Sequence, residues 1–282
     1  MISRDEGAHL RKTVENLEDT LPPEGDIVVV DDGSADGSAA FLKRRRARVQ
    51  LIRGEGLGVA KARNLGARTS RGGMIVFADA HIGVPRDWWR PLVELAGRPE
   101  VGAAAPGITH MTRAGKAGYG LTFKGPSLDV RWFKTKPKTA RAVPILPGCC
   151  TVMRRDVFEA VGGWDEGMLQ RGNLDNELCI RLWLYGYELL VSGETTVSHL
   201  FRDQSPYQVA WPNYLQNRLR LAFAHLSPPR VGKVVGALRK SPLFGQAMLL
   251  LMSGGIAERR REVTARQVRD DYWLFERFGW RW

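Results

Sequence analysis

Asp79 and His81 flank a single alanine at the end of the apolar run Met74-Ile75-Val76-Phe77-Ala78. A carboxylate and an imidazole spaced in this way can both turn toward one cation. That oxygen and nitrogen set suits Mn²⁺ or another transition ion better than a hard, all-oxygen Mg²⁺ site. A third ligand must come from elsewhere, and His199 closes a second β-type run, Thr195-Thr196-Val197-Ser198, with Arg202 soon after. A further polar cluster, Asp31-Asp32-Gly33-Ser34, follows Ile27-Val28-Val29-Val30. Each signal has an ordinary competing reading, since a strand-end Asp often forms a turn and a lone His is commonly structural. Their combination singles them out.

In open α/β sheets ligands bind outside the carboxyl ends of the strands, so the surrounding elements decide whether these residues meet. Leu10, Val14 and Leu17 have helical spacing, and Leu21-Pro22-Pro23 ends that helix. Residues 27–30 read as a strand buried on both faces. A helix is predicted from Asp36 to Arg46, a strand at 49–52, a helix at 59–67 and a third strand at 74–78. This βαβαβ order predicts a parallel sheet with helices on both faces. Over 103–146 glycines, prolines and lysines break the periodicity, which reads as an excursion forming a substrate surface rather than core. Order resumes at 157–161, with a helix at 174–185 and strands at 188–191 and 195–198. The chain after 213 is arginine-rich and helical in pattern, with 266–278 read as one amphipathic helix.

A chain of 282 residues, 44% hydrophobic and 26% charged, can bury an enzyme-sized core, and this composition excludes disorder. The net charge of +12 implies attraction to an anion: nucleic acid, an acidic membrane surface or a nucleotide diphosphate. Cys149, Cys150 and Cys179 form neither an even disulfide framework nor a C-x-x-C cluster, which points to a reducing compartment. No secretion signal pattern follows Met1, so a cytoplasmic location is expected, including the inner face of the membrane. The apolar window 243–256 falls short of the roughly 20 residues that span a bilayer and reads as a buried or interfacial helix. With Glu258-Arg259-Arg260-Arg261 behind it, contact with an anionic membrane surface is one reading and a solvated helix face the favoured one.

The segments IVVVDDGSADGS (27–38), GVAKARNLGA (58–67), MIVFADAHI (74–82) and GGWDEGM (162–168), in this order, resemble the family 2 glycosyltransferases over about residues 1–207. Most of that family carry D-x-D where this chain has Asp79-x-His81. The stretch VSHLFRDQSPY (197–207) is similar to the segment that gives polypeptide N-acetylgalactosaminyltransferases a metal-binding His and a mobile lid. The resemblance implies a GT-A type α/β fold, a Rossmann-like, mostly parallel sheet flanked by helices, with a helical C-terminal extension. Residues 1–212 would form the transferase domain, with a nucleotide-binding half at 1–105 and an acceptor half at 106–212, and 213–282 the extension. It also implies that Asp79, His81 and His199 hold Mn²⁺ (or Mg²⁺) against the diphosphate of a UDP-sugar. Asp32 would face the uracil, and Arg63 would lie near the base or diphosphate, its competing reading being a surface helix charge. Gly148 and Cys149 in LPGCCTVM would lie beside the donor sugar, where small residues allow close approach. Arg202 and Tyr207 would contact the pyrophosphate from the lid, with ordinary packing the alternative for Tyr207.

This sequence also departs from those relatives. Where the narrower family has W-G-G-E-N, this chain has Arg171-Gly172-Asn173-Leu174-Asp175, so neither its sugar specificity nor a peptide acceptor carries over. Inverting family 2 members have an E-D pair here whose Asp is the general base. Leu174-Asp175 keeps the second half, leaving Asp175 as either the base or a cap for the adjacent helix. Glu177 and Arg181 read as a structural i,i+4 pair. Relatives have a full first strand where only Met1-Ile2 stands, so an internal start is expected. The expected reaction is hexosyl or N-acetylhexosaminyl transfer from a UDP-sugar to a hydroxyl acceptor that the sequence leaves unidentified. The metal set favours retention of configuration, and Asp175 leaves inversion as the alternative. A nucleotidyltransferase would want a Gly-rich basic loop, for which Arg4-Asp5-Glu6-Gly7 is poor. A basic module for nucleic acid or membrane is the reading outside enzymes; scattered cations without zinc-knuckle or helix-turn-helix spacing argue against a nucleic-acid partner.

Overall fold

A computed structural model describes residues 1–43, 48–113 and 115–282. Its first half is built on β1 (Ile2–Ser3), α1 (Ala8–Thr20), β2 (Ile27–Asp32), a 3₁₀ turn at Ala40–Lys43, β3 (Val49–Gly54), α2 (Val59–Thr69) and β4 (Met74–Ala78). β1 pairs parallel with β2 and β2 with β3, and a parallel bridge from Ile2 to Asp79 joins β1 to β4. All six residues of β2 are buried, which is why the sequence shows a continuous apolar run rather than alternation. The helix expected from Asp36 to Arg46 is reduced to the 3₁₀ turn, and 44–46 lie outside the described residues.

β5 (Ile82–Gly83), α3 (Arg90–Ala96) and β6 (Val101–His110) follow, and β6 corrects the sequence expectation for 103–146. It is a central strand with its first eight residues buried. Its small residues hide it from β-propensity because neighbours press on the backbone. A Cβ on Gly102 would lie 2.7 Å from the Tyr187 Cβ, and one on Gly107 would lie 2.4 Å from the Tyr119 ring. A hairpin of β7 (Leu121–Phe123) and β8 (Val130–Trp132) and the edge strand β9 (Ala140–Ala142) complete the stretch.

β10 (Cys150–Arg154), which the sequence pattern does not reveal, runs antiparallel between β4 and β6. α4 (Arg155–Ala160), α5 (Leu174–Leu184) and β11 (Glu188–His199) come next. The two strands expected at 188–191 and 195–198 are one strand, β11, parallel to β6 and irregular between Val191 and Thr196. The pairing is therefore parallel through β1, β2 and β3 and mixed around β10.

The remaining helices are α6 (Trp211–His225), α7 (Pro228–Leu238), α8 (Phe244–Ser253), α9 (Ile256–Thr264) and α10 (Asp271–Phe278). Leu219, Leu251 and Leu274 share one hydrophobic core with Leu178 and Trp183 of α5. The single helix expected over 266–278 begins at 271, because the Asp270 carboxylate accepts from Trp273 N at 2.8 Å and caps it. Glu177 and Arg181 are wholly buried and joined by two bonds of 2.9 and 2.8 Å, as their spacing predicts. His225 Nε2 lies 2.8 Å from the same carboxylate, and Arg220 holds Asp165 alongside, so α5, α6 and the 164–168 turn are tied by buried charge. No helix among the described residues is long and apolar enough to cross a membrane.

Candidate functional site

The carboxyl ends of β1, β2, β4 and β11 open onto one cleft of about 800 Å³. Asp79 leaves β4 with its N–H donated to Cys149 O at 3.0 Å, and the pairing of His199 with Ile82 brings the end of β11 alongside. Asp79 Oδ2 lies 3.2 Å from His199 Nε2, and the His81 and His199 ring centroids are 4.8 Å apart. One ligand atom from each of Asp79, His81 and His199 lies within 4.8 Å of the other two. His81 Nδ1 lies 2.9 Å from Glu6 Oε2, a contact that fixes the ring's orientation. His199 Nδ1 is buried with no hydrogen-bond partner among the described residues. One carboxylate and two imidazoles form the donor set that transition ions favour, so these residues fit Mn²⁺.

Arg63 is not a surface charge. Only 6% of its side chain is exposed. It donates to Asp175 Oδ1 at 2.6 Å, to Asp79 Oδ1 at 3.2 Å and to Gly148 O at 2.8 Å, with its guanidinium 4.4 Å over Trp164. Burial alone would raise the Asp79 pKa, but the His199 contact and the Arg63 charge outweigh it and hold the carboxyl well below its usual range. Burial works against the Arg63 charge too, and Asp175 and Asp79 overcome it.

Asp175 does not cap α5. Asn173 occupies the N-cap position in a left-handed conformation, and Asp175 sits in the first turn with Oδ1 held by Arg63. Asp79, His199 and Asp175 also border a second cleft of about 430 Å³, whose wall includes Gly148 and Cys149. Gly148 is packed so closely that a Cβ would lie 2.0 Å from the Asp175 carboxyl. The Cys149 thiol is buried and pushed well above its ordinary pKa by that burial.

Asp32 lines the larger cleft, but its oxygens accept from Leu57 N at 2.6 Å and Gly58 N at 2.9 Å, so its carboxylate shapes the loop before α2. Arg202 donates to Glu6 Oε2 at 2.6 Å, on the carboxylate that also holds His81. Tyr207 stands between two cations, with Arg4 at 5.1 Å and Arg171 at 5.9 Å from its ring. Sequence reasoning missed Glu6 as the hub of this wall; its position just after the first strand was the available signal.

Residues 1–162, more than half the chain, match glycosyl transferase family 2. The chain belongs to that family. This family 2 chain is 27% identical over 276 residues to polypeptide N-acetylgalactosaminyltransferase 4 of Mus musculus, covering 85% of this chain and 46% of that protein. It is 27% identical over 226 residues to probable N-acetylgalactosaminyltransferase 9 of Caenorhabditis elegans, covering 72% and 39% respectively. The chain thus spans less than half the length of these curated relatives. Its fold is that of GalNAc-T7 solved with UDP, GalNAc and Mn²⁺, with a TM-score of 0.79 at 20% identity over 99% of this chain and 56% of that one. A mannosyltransferase of Pyrobaculum calidifontis, solved with GDP-Man and Mn²⁺, overlaps with a TM-score of 0.56 at 19% identity over 91% and 72%. These neighbours establish the GT-A type α/β fold.

Proposed function

We propose that this chain transfers a hexosyl or N-acetylhexosaminyl group from a UDP-sugar to an acceptor hydroxyl, with retention of configuration, using Mn²⁺ (or Mg²⁺) held by Asp79, His81 and His199. The convergence of those three ligands in the larger cleft, with Asp79 and His199 also bordering the smaller one, carries the reading. UDP and Mn²⁺ in the GalNAc-T7 structure support it by analogy. A bound divalent ion would neutralise charge that develops on the departing diphosphate. The chain's own groups supply the rest. Glu6 orients His81, and Arg202, released from Glu6 by the incoming diphosphate, would place its planar guanidinium on phosphate oxygens. Arg63 holds Asp79 and Asp175 at fixed separation before substrate arrives. Tyr207 and its flanking arginines would cover the donor and limit access of water.

A second reading, inversion with Asp175 as general base, rests on its position in the wall of both clefts and on Oδ2, which Arg63 leaves open. The anomeric proton coupling of the product separates the two. The primary test is calorimetric titration of UDP into metal-stripped protein with and without Mn²⁺, repeated on His199→Ala. Binding that needs Mn²⁺ and is lost in the variant is expected. Tight binding indifferent to both would refute the metal role.

A further inference from the structure

Between Asp203 and Glu258 the chain carries no carboxylate side chain, whereas Arg230, Lys233, Arg239 and Lys240 place cations on and beside α7 and α8. Arg230 is occupied by Asp271 at 3.0 Å and stacks on Tyr272. Lys233, Arg239 and Lys240 are exposed, and none has an acidic partner among the described residues.

α8 buries Ala247 and Leu251 toward the core and turns Leu249 and Met252 outward, where they are 74% and 65% exposed. Arg239 and Lys240 stand in the turn that leads into α8, and Leu249 lies about 8 Å along the helix axis from its start. An isolated exposed leucine needs no partner. Two large apolar side chains on one face of α8, with Arg239 and Lys240 in the turn that leads into it and Lys233 on the preceding helix, all within one acid-free stretch of sequence, supply the exposed apolar area and the cations that draw a surface helix to an anionic interface. A second copy of this chain would present the same cationic face and be repelled by it. A nucleic acid would satisfy the cations but leave the apolar pair in water. An anionic bilayer matches both features.

We propose that the α7–α8 face docks on an anionic lipid bilayer, with Leu249 and Met252 entering the acyl boundary and Lys233, Arg239 and Lys240 among the headgroup phosphates. The proposal does not depend on the transferase reading. Flotation of the full chain with phosphatidylcholine vesicles, alone or mixed with phosphatidylglycerol, tests it. Binding is expected on mixed vesicles only. It should weaken roughly fivefold for each of the three cations changed to Gln, and about tenfold in Leu249→Ser with Met252→Ser. Melting temperature and UDP titration should be unchanged in these surface variants. The proposal is overturned if mixed vesicles are not bound, or if their binding ignores the serine pair. Conversion of a dimer to a monomer by the serine pair, seen in sedimentation, also overturns it and makes a second copy the occupant.

Discussion

Replacing Arg63 with Met removes the bonds at 2.6, 3.2 and 2.8 Å that join Asp175, Asp79 and Gly148, and leaves two carboxylates facing each other. Breaking a fully buried ion pair costs about 3–5 kcal/mol. Here the side chains of Asp79 and Asp175 are 25% and 35% exposed, so water relieves part of the loss and about 2–3 kcal/mol remains. At roughly 2–4 °C per kcal/mol, the melting temperature in chelator should fall by about 4–12 °C. The sign reverses for cation binding. Arg63 competes with a divalent ion for Asp79, so the variant should gain more stability from Mn²⁺ than the unaltered chain does at the same concentration. Melts in chelator and in Mn²⁺ measure both effects. A change within about 1 °C in chelator, or equal Mn²⁺ shifts in the two proteins, would refute this account of Arg63.

Asp175→Asn should lower transfer by about tenfold while leaving UDP affinity and the product anomer unaltered; a loss beyond about 10³-fold with an inverted product favours the base role. Gly148→Ala forces a methyl into the Asp175 carboxyl, at a cost of about 1–3 kcal/mol and with reduced transfer, which denaturant melts and a UDP-release assay would detect. Burial holds the His225 pKa below its ordinary 6.5, against the pull of Glu177. The unfolded chain therefore takes up that proton first on acidification. Stability should be full above 6.5 and decline as pH falls below it, with a further loss below the ordinary 4.5 of Glu177, whose pKa Arg181 and His225 depress despite burial. Denaturant melts from about pH 8 to about pH 5 should show that slope, and His225→Gln should flatten its upper part; equal slopes would count against it.

The N-terminal half of the fold was legible because β2 is buried along its whole length and β4 is buried or half-buried throughout, so both appear as unbroken apolar runs ended by polar residues. The same rule located Asp79, His81 and His199, each at or just beyond a strand's carboxyl end. β6 and β10 were not legible. Glycine stands at 102 and 107 in β6 where Tyr187, Leu182 and Tyr119 occupy the space that larger side chains would need, and this constraint comes from partners distant in sequence. Arg63 illustrates the same limit. Its helix pattern admits a surface charge, and only Asp79 and Asp175, brought in from elsewhere in the chain, turn it into a buried clasp. Glu6 escaped notice because a single acid after two strand residues has no periodicity to betray it.

His199 and Asp79 are 120 positions apart in the chain, yet their side chains meet at 3.2 Å. A nascent chain could complete β1 to β4 and present two ligands long before β11 exists, so cation affinity would mature only when the last central strand has threaded beside β6. An ion held there would act as a non-covalent clip across a very long loop, penalising the open chain in the way a cross-link does. Chelation should then speed unfolding of the whole sheet, not merely loosen the cleft, and the rate of Mn²⁺ capture during refolding would serve as a clock for the final strand's arrival.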